Sequence, residues 1–339
     1  MTSIKDVAKK AGVSASTVSY AISGKRAVSK DAKRRVMKAA RELNYSPNAG
    51  AQILRGNKTH ILALSSPMYS STDYGSYMDF FLKVVQRARF HGYDVLLLAG
   101  DNEDEELLRI VKSGLADGVV LLDVDINDSR LKVAEATSIP FISIGDPGDI
   151  SSVNAVDIDF TRMGVTAVNE LADYGHRKVL FIGGQAEDYA RGSNFLVRLR
   201  DAIYDQARRR GVDIEMVNLS ETKMPEIQAL VDAEFSQHPD ITAVLAQTDL
   251  VQMGNIVAAL ERSGRSIPSD VSVMSLGMGG DASTLSTPID GMPLLPDITC
   301  TRGIDILMDM IAGKMARSGN MELAAPRYDK CGSVGPAKN

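Results

Sequence analysis

Residues 11–24 read AGVSASTVSYAISG. Five side chains here carry hydroxyls on short stems, Ser14, Ser16, Thr17, Ser19 and Ser23, and Tyr20 is the one large polar residue. Such residues cap helices well and fill helix interiors poorly, because their hydroxyls compete for nearby backbone groups. The flanking sequence explains the choice. Upstream, SIKDVAKKAG sets Ile4, Val7, Ala8 and Ala11 on one helical face. Ser3 and Asp6 resemble a capping box with Asp in place of the usual Glu, and Gly12 supplies the left-handed turn that ends the helix. Ser14 then caps a second helix whose inner stripe is Val18, Ala21 and Ile22. A third helix runs from about Ser29 to Leu43. It turns Val36, Ala40 and Leu43 inward, and Lys30, Lys33, Arg34, Arg35, Lys38 and Arg41 outward. Helix, glycine turn, short helix, third helix is the order of a helix-turn-helix module. The slim second helix suits a DNA groove, where bulk would hold the backbone away, and its N-terminus favours phosphate.

Charge supports this reading. Residues 1–58 hold thirteen Lys/Arg and three Asp/Glu, a local net of +10, whereas the rest of the 339-residue chain nets −15. A basic head on an acidic body implies a polyanionic partner for the head alone. The length suits two or three domains. No apolar run approaches the roughly 18–20 residues of a membrane span, and MTSIKDVAKKAG lacks the apolar stretch of a signal peptide, so a cytoplasmic protein with no membrane association is expected. The two cysteines, Cys300 and Cys331, form no CxxC motif. The four histidines show no metal-ligand spacing, and phosphate-loop, dinucleotide and nucleophile-elbow motifs are absent. No cofactor, no metal and no catalytic residue is therefore expected, and an enzyme is not.

DVAKKAGVSASTVSYAISG followed by VSKDAKRRVMKAARELNYSPN resembles, without gaps from about Ile4 to Leu54, the DNA-binding head of the lactose-repressor (LacI/GalR) family of bacterial transcription regulators. The resemblance implies that the second helix reads the major groove through Ala15, Ser16 and Tyr20. Family members often carry Arg at the last of these positions. Tyr can make one hydrogen bond and stack, but not the bidentate guanine contact of Arg, so a different operator base is expected there. The resemblance makes Ser3, Ser14, Thr17, Ser19, Ser29, Tyr45 and Asn48 candidates for phosphate contact. In SPNAGAQILRGNKT (46–59) it implies a hinge helix that folds on DNA and inserts Leu54 into the minor groove, with Ala51 one turn before it. Read alone, this stretch would also pass for a flexible linker.

From His60 onward, ILALSS, YDVLLLA, DGVVLL, PFISI, KVLFIGG, IEMVN, ITAVLA and VSVMSL alternate with helical segments. Such runs indicate parallel sheets covered on both faces. The expected architecture is an all-α helix-turn-helix head (1–45), a hinge helix and linker (46–59), and an α/β two-lobed periplasmic-binding-protein-like body with parallel sheets (60–339). One lobe is expected over approximately 60–155 plus a segment near 285–310. The other takes 156–284 plus the C-terminal part. DFTRMG (159–164), DYGHRKVLFIGG (173–184), AQTDLVQMG (246–254) and IPSDVSVMSLG (267–277) carry the resemblance into the body.

A cleft between the lobes is the expected ligand site. The resemblance points to an arginine after the GG strand that grips a sugar hydroxyl or oxyanion; Arg191 and Arg198 compete, with Arg191 preferred. Asp249 matches the acid of the family's Asn-Asp pair, although Thr248 replaces the Asn. Where the family commonly carries an aspartate that binds sugar hydroxyls, this chain has Gly277, and Asp281 or Asp290 could substitute. Each of these residues also fits a structural role such as a helix cap or an inter-lobe salt bridge. The expectation is a repressor binding near-palindromic double-stranded operator DNA as a homodimer, controlled by a small-molecule effector, a sugar or related metabolite. A regulator lacking a conventional sugar effector, or a solute-binding protein, are the alternatives. No terminal leucine heptad favours a tetramer.

Overall fold

The computed structural model describes residues 3–23, 26–45, 58–69, 72, 74–100, 103–219 and 223–338. The chain divides into two compact units, Met1–Thr59 and His60–Asn339.

In the first unit, α1 (Ile4–Ala11), α2 (Ala15–Ser23) and α3 (Lys30–Glu42) follow the sequence signals closely. Ser3 and Asp6 form the reciprocal capping box, with the Ser3 N–H donating to Asp6 Oδ2 at 2.8 Å. Gly12 ends α1 at φ 64°, in the left-handed region. Ser14 Oγ accepts from the Thr17 N–H at 3.1 Å, and Ser29 Oγ accepts from the Ala32 N–H at 3.2 Å. Val7, Ala8, Ala11, Val18, Ala21, Val36, Ala39 and Ala40 form the buried core, so small that Ala supplies most of it. Its closeness lets Lys10 Nζ reach Glu42 Oε2 at 3.0 Å, tying α1 to α3. Asn48, Ala51 and Leu54 lie outside the described residues.

The second unit contains two parallel sheets. Its elements in chain order are β1 (Ile61–Ser65), α4 (Tyr74–Phe90), β2 (Asp94–Leu98), α5 (Glu103–Lys112), β3 (Gly118–Leu121), α6 (Leu131–Glu135), β4 (Phe141–Ile144) and β5 (Asn154–Ile158). There follow α7 (Phe160–Asp173), β6 (Lys178–Gly183), α8 (Ala186–Arg191), α9 (Asn194–Arg210), β7 (Asp213–Asn218), α10 (Met224–Gln237), β8 (Ala243–Ala246) and α11 (Leu250–Arg262). The last are β9 (Ser272–Met278), β10 (Asp290–Pro293), α12 (Pro296–Ile311) and β11 (Met321–Ala324). The strand orders are β11-β5-β4-β3-β1-β2 and β10-β9-β8-β6-β7. Central strands such as GVVL (β3), FISI (β4) and AVLA (β8) are buried along their whole length, as strands covered on both faces must be.

Three strands were not anticipated: β5 (NAVDI), β10 (DGMP) and β11 (MELA), each interrupted by polar, glycine or proline residues. They correct the expected lobe limits. A boundary at 155 cuts β5, which belongs wholly to the first sheet; a 285–310 segment would take in β10, which pairs with β9 in the second. The chain passes between lobes after β5, after β10 and after β11, because α7 packs in the second lobe, α12 in the first, and Val334 and Tyr328 in the second. Within the second lobe α7 and α9 pack at very close range: a Cβ on Gly164 would lie 3.0 Å from Ala202 Cβ and 3.1 Å from the Leu199 carbonyl oxygen.

Candidate DNA-contacting helix and inter-lobe cleft

On α2, Ser14, Ser16 and Tyr20 face solvent, and Tyr20 is 37% exposed. Ala15 and Tyr45 lean on the head core, which leaves each only one side to offer a partner. Ser3, Ser14 and Ser29 serve as helix N-caps, so their hydroxyl oxygens sit beside backbone N–H groups at three helix starts. Ser14 Oγ and Thr17 Oγ1 lie 2.8 Å apart, presenting two hydroxyls together at the start of α2. A phosphate approaching any of these ends meets N–H groups and hydroxyls at once.

The body encloses a cavity of about 340 Å³ at the carboxyl ends of its strands. Tyr77, Phe80, Asp123, Ile144 and Asp146 line it from the first lobe, and Phe160, Phe195, Gln247, Thr248 and Gly277 from the second. Phe160 and Phe195 stand 5.7 Å apart between ring centres.

Both candidate arginines are occupied as bridges between lobes. Arg191, at the end of α8, pairs with Asp125, lies 3.2 Å from Asp123 Oδ2, and donates from Nε to Asp188 Oδ1 at 3.2 Å. Its guanidinium also stacks 4.0 Å above the Tyr69 ring. Burial works to lower its pKa, but Asp123 and Asp125 raise it further, so the group stays cationic. Burial lifts the Asp125 carboxyl to about 6 despite Arg191 beside it. Burial also drives the Tyr77 hydroxyl well above its ordinary range, reinforced by Asp123, to which it donates. Main-chain bonds secure the same junction: the Ile126 N–H donates to Gly192 O at 2.8 Å, and the Asn194 N–H to Val124 O at 3.2 Å. Arg198, on α9, makes the second bridge, to Asp157 at 2.7 Å and Asp146 at 3.3 Å. Burial raises the Asp157 pKa against the pull of Arg198. Beneath this junction the buried Arg130 holds Asp128 and donates to the Leu122 and Asp123 carbonyls at 3.1 and 3.2 Å, fixing the loop that carries Asp123 and Asp125.

Asp249 lines the cavity and also caps α11, accepting from the Gln252 N–H at 2.7 Å. Gly277 lines it at φ 58°, where a Cβ would meet Phe160 at 3.3 Å. The expectation that Asp281 or Asp290 replaces an acid there is corrected. Asp281 is exposed and accepts from the Ser283 N–H at 2.9 Å, capping a single 3-10 turn. Asp290 is buried and accepts from the Cys331, Gly332 and Ser333 N–H groups at 2.8, 2.6 and 2.9 Å, fastening the C-terminal tail. Neither lines the cavity. Sequence reading missed Tyr77, Asp123, Asp146, Asp157, Asp188, Asn194 and Gln247, which come from six separate chain regions and share no local pattern. Elsewhere in the second lobe Glu215, Glu234 and His238 bring ligating atoms within 4.8 Å of one another, although Lys178 Nζ stands 3.4 Å from Glu215.

Residues 3–48 match the family described as bacterial regulatory proteins, lacI family, and residues 63–293 match periplasmic binding proteins and sugar binding domain of LacI family. The chain belongs to the LacI family. Similar proteins include the HTH-type transcriptional regulator AglR of Rhizobium meliloti (strain 1021), 28% identical across 80% of this chain and 76% of that one. The regulator MalR of Streptococcus pneumoniae serotype 4 (strain ATCC BAA-334 / TIGR4) is 30% identical across 74% and 77%. A crystal structure of the lac repressor dimer bound to operator and the anti-inducer ONPF superposes with TM-score 0.83, 19% identity and 98% coverage of both chains. The helix-turn-helix head and two-lobed parallel-sheet body are thus those of LacI-family DNA-binding transcriptional regulators.

Proposed function

We propose that this LacI-family protein is a repressor that binds a near-palindromic operator as a homodimer in the cytoplasm. A small molecule held between its lobes, a sugar or related metabolite, sets its operator affinity. The role is regulatory, not catalytic. The observation that carries the reading is α2: a hydroxyl-bearing helix start with exposed Ser16 and Tyr20, inside a 1–58 segment of net charge +10. Ala15, Ser16 and Tyr20 are assigned to base edges; Ser3, Ser14, Thr17, Ser19, Ser29, Tyr45 and Asn48 to phosphates; Ala51 and Leu54 to the minor groove. Arg191, Asp249 and Gly277 line the ligand cavity. Arg198 acts on it through its pairing with Asp146 and Asp157. Dimerisation is supported by apolar side chains that α4 leaves in solvent, with Tyr74, Met78 and Leu82 65, 52 and 48% exposed. They recur at four-residue spacing, and the neighbouring edge strand β2 exposes Leu96 and Leu97.

No helix of the described residues is long and apolar enough to cross a membrane. A regulator that holds its lobes together without a ligand is a second reading, favoured by the two arginine bridges between lobes. Fluorescence anisotropy on an operator selected from random duplexes, repeated with candidate ligands, separates the two. Ligand control predicts a shifted midpoint with at least one compound that also raises the melting temperature.

A further inference from the structure

Five carboxylates line the inter-lobe cavity, Asp123, Asp146, Asp157, Asp188 and Asp249, against one guanidinium, Arg191. Adding the adjoining Asp125 and Arg198 leaves four more carboxylates than guanidiniums. Neither cation is positioned to receive an anion: Arg191 is shared among Asp123, Asp125 and Asp188, and Arg198 between Asp146 and Asp157. An entering carboxylate or phosphate would displace an existing ion pair and face the remaining acids at short range.

A second, independent feature says what the wall does accept. Asn194 Oδ1, Gln247 Nε2 and Thr248 Oγ1 are buried side-chain atoms with no hydrogen-bond partner, on residues only 3, 5 and 9% exposed, and all three residues line the cavity. The Tyr189 hydroxyl donates to Gln247 Oε1 at 3.2 Å, which orients the amide and leaves its nitrogen unanswered. Buried polar atoms are rarely left so without a ligand or water to meet them. One acceptor, one donor and one hydroxyl, all neutral, match the hydroxyls of an uncharged molecule, while Phe160 and Phe195 supply an apolar surface.

We propose that the cleft selects by charge: it takes a polyhydroxylated ligand that is neutral or bears a protonated amine, and rejects sugar acids and sugar phosphates. Asn194, Gln247 and Thr248 receive its hydroxyls. The proposal rests on the reading of this cleft as the effector site.

The test is a thermal-shift screen of the full-length protein, followed by calorimetry, with saccharides supplied in matched neutral, amino, acid and phosphate forms. Glucose, glucosamine, glucuronate and glucose 6-phosphate make one such set, accompanied by the corresponding galactose set and by neutral disaccharides. Stabilisation is expected only from neutral or amino members, with the anionic counterpart of any binder weaker by on the order of a hundredfold. Gln247→Leu should weaken that binder about tenfold or more. Because it also takes the acceptor from the Tyr189 hydroxyl, a second variant is needed: Thr248→Val, which removes an atom with no partner in the fold, should weaken the same binder while leaving the unliganded melting temperature within a degree or two. An anionic member binding as tightly as its neutral counterpart overturns charge selection and leaves the effector site standing. An unchanged affinity in Gln247→Leu overturns the assigned contact. No stabilisation by any member removes the saccharide-effector reading itself, and this proposal with it.

Discussion

Tyr20 occupies the outward side of α2 one turn beyond Ser16, with more than a third of its surface exposed. A phenol there offers one hydrogen bond and a flat face, where an arginine would offer a guanine two parallel donors. Tyr20→Ala is expected to relax base preference at one position of each half-site by about 1 kcal/mol, roughly fivefold, while leaving affinity for unrelated duplexes nearly unchanged. Competition binding against single-base operator variants measures this; a uniform loss across all sequences would instead mark Tyr20 as a phosphate contact. The head was legible residue by residue because caps, glycine turn and inner stripe are local signals. The cleft was not. Arg191, Arg198 and Asp249 were found by their place in a resemblance. Their work in the fold, two inter-lobe bridges and one helix cap, depends on Asp123, Asp146, Asp157 and Gln252. All of these except Gln252 lie dozens of residues away. Gly277 shows why restoring the family's acid is not a simple exchange: its left-handed φ of 58° disfavours any side chain.

Among the elements, α7 and α9 show how closely packing is specified. Gly164 lets their backbones meet, and Gly164→Val would force a branched side chain against Ala202 and the Leu199 carbonyl. A loss of about 2 kcal/mol in the second lobe is expected, read as an earlier urea transition; an unchanged midpoint would show that the helices can part without cost. Of the eight expected strands, β1, β3, β4, β6, β8 and β9 are largely buried apolar runs, and the exposed edge strands β2 and β7 still carry enough Val, Leu, Ile and Met to be read. The three that escaped are β5, with an Asn and an Asp, β10, with Gly and Pro, and β11, at a sheet edge. β10 and β11 each lie beside a crossing between lobes. β11 takes its register from β5, far back in the chain, and β10 follows β9 across a shift at Met292 and Pro293, neither of which a local periodicity records.

At the scale of the whole molecule, the C-terminal tail closes the second lobe. His176 is 1% exposed, with Nδ1 2.8 Å from Thr242 Oγ1 and Nε2 3.0 Å from the Gly335 carbonyl. Burial holds its pKa below the ordinary 6.5. The unfolded chain therefore takes up a proton near pH 6.5 that the folded chain resists. The His176 contribution is expected to be full above that pH and to fall as pH drops through it, by up to about 1 kcal/mol per unit. An opposite contribution comes from Asp125, whose raised pKa favours the folded chain as pH falls. Chemical denaturation from pH 8 to 5.5 of the protein and of His176→Gln isolates the His176 contribution as the difference between the two slopes; equal slopes would place the pH dependence elsewhere.

The opposition of a basic head and an acidic body has a more direct consequence. Full-length protein should be offered a pool of random duplexes, the enriched sequence recovered, and its binding titrated against a scrambled duplex across a salt series. An inverted repeat is expected, bound at least about a thousandfold more tightly than the scramble by a dimer, with affinity falling steeply as salt rises. No enrichment of any sequence, or equal affinity for repeat and scramble, would contradict it.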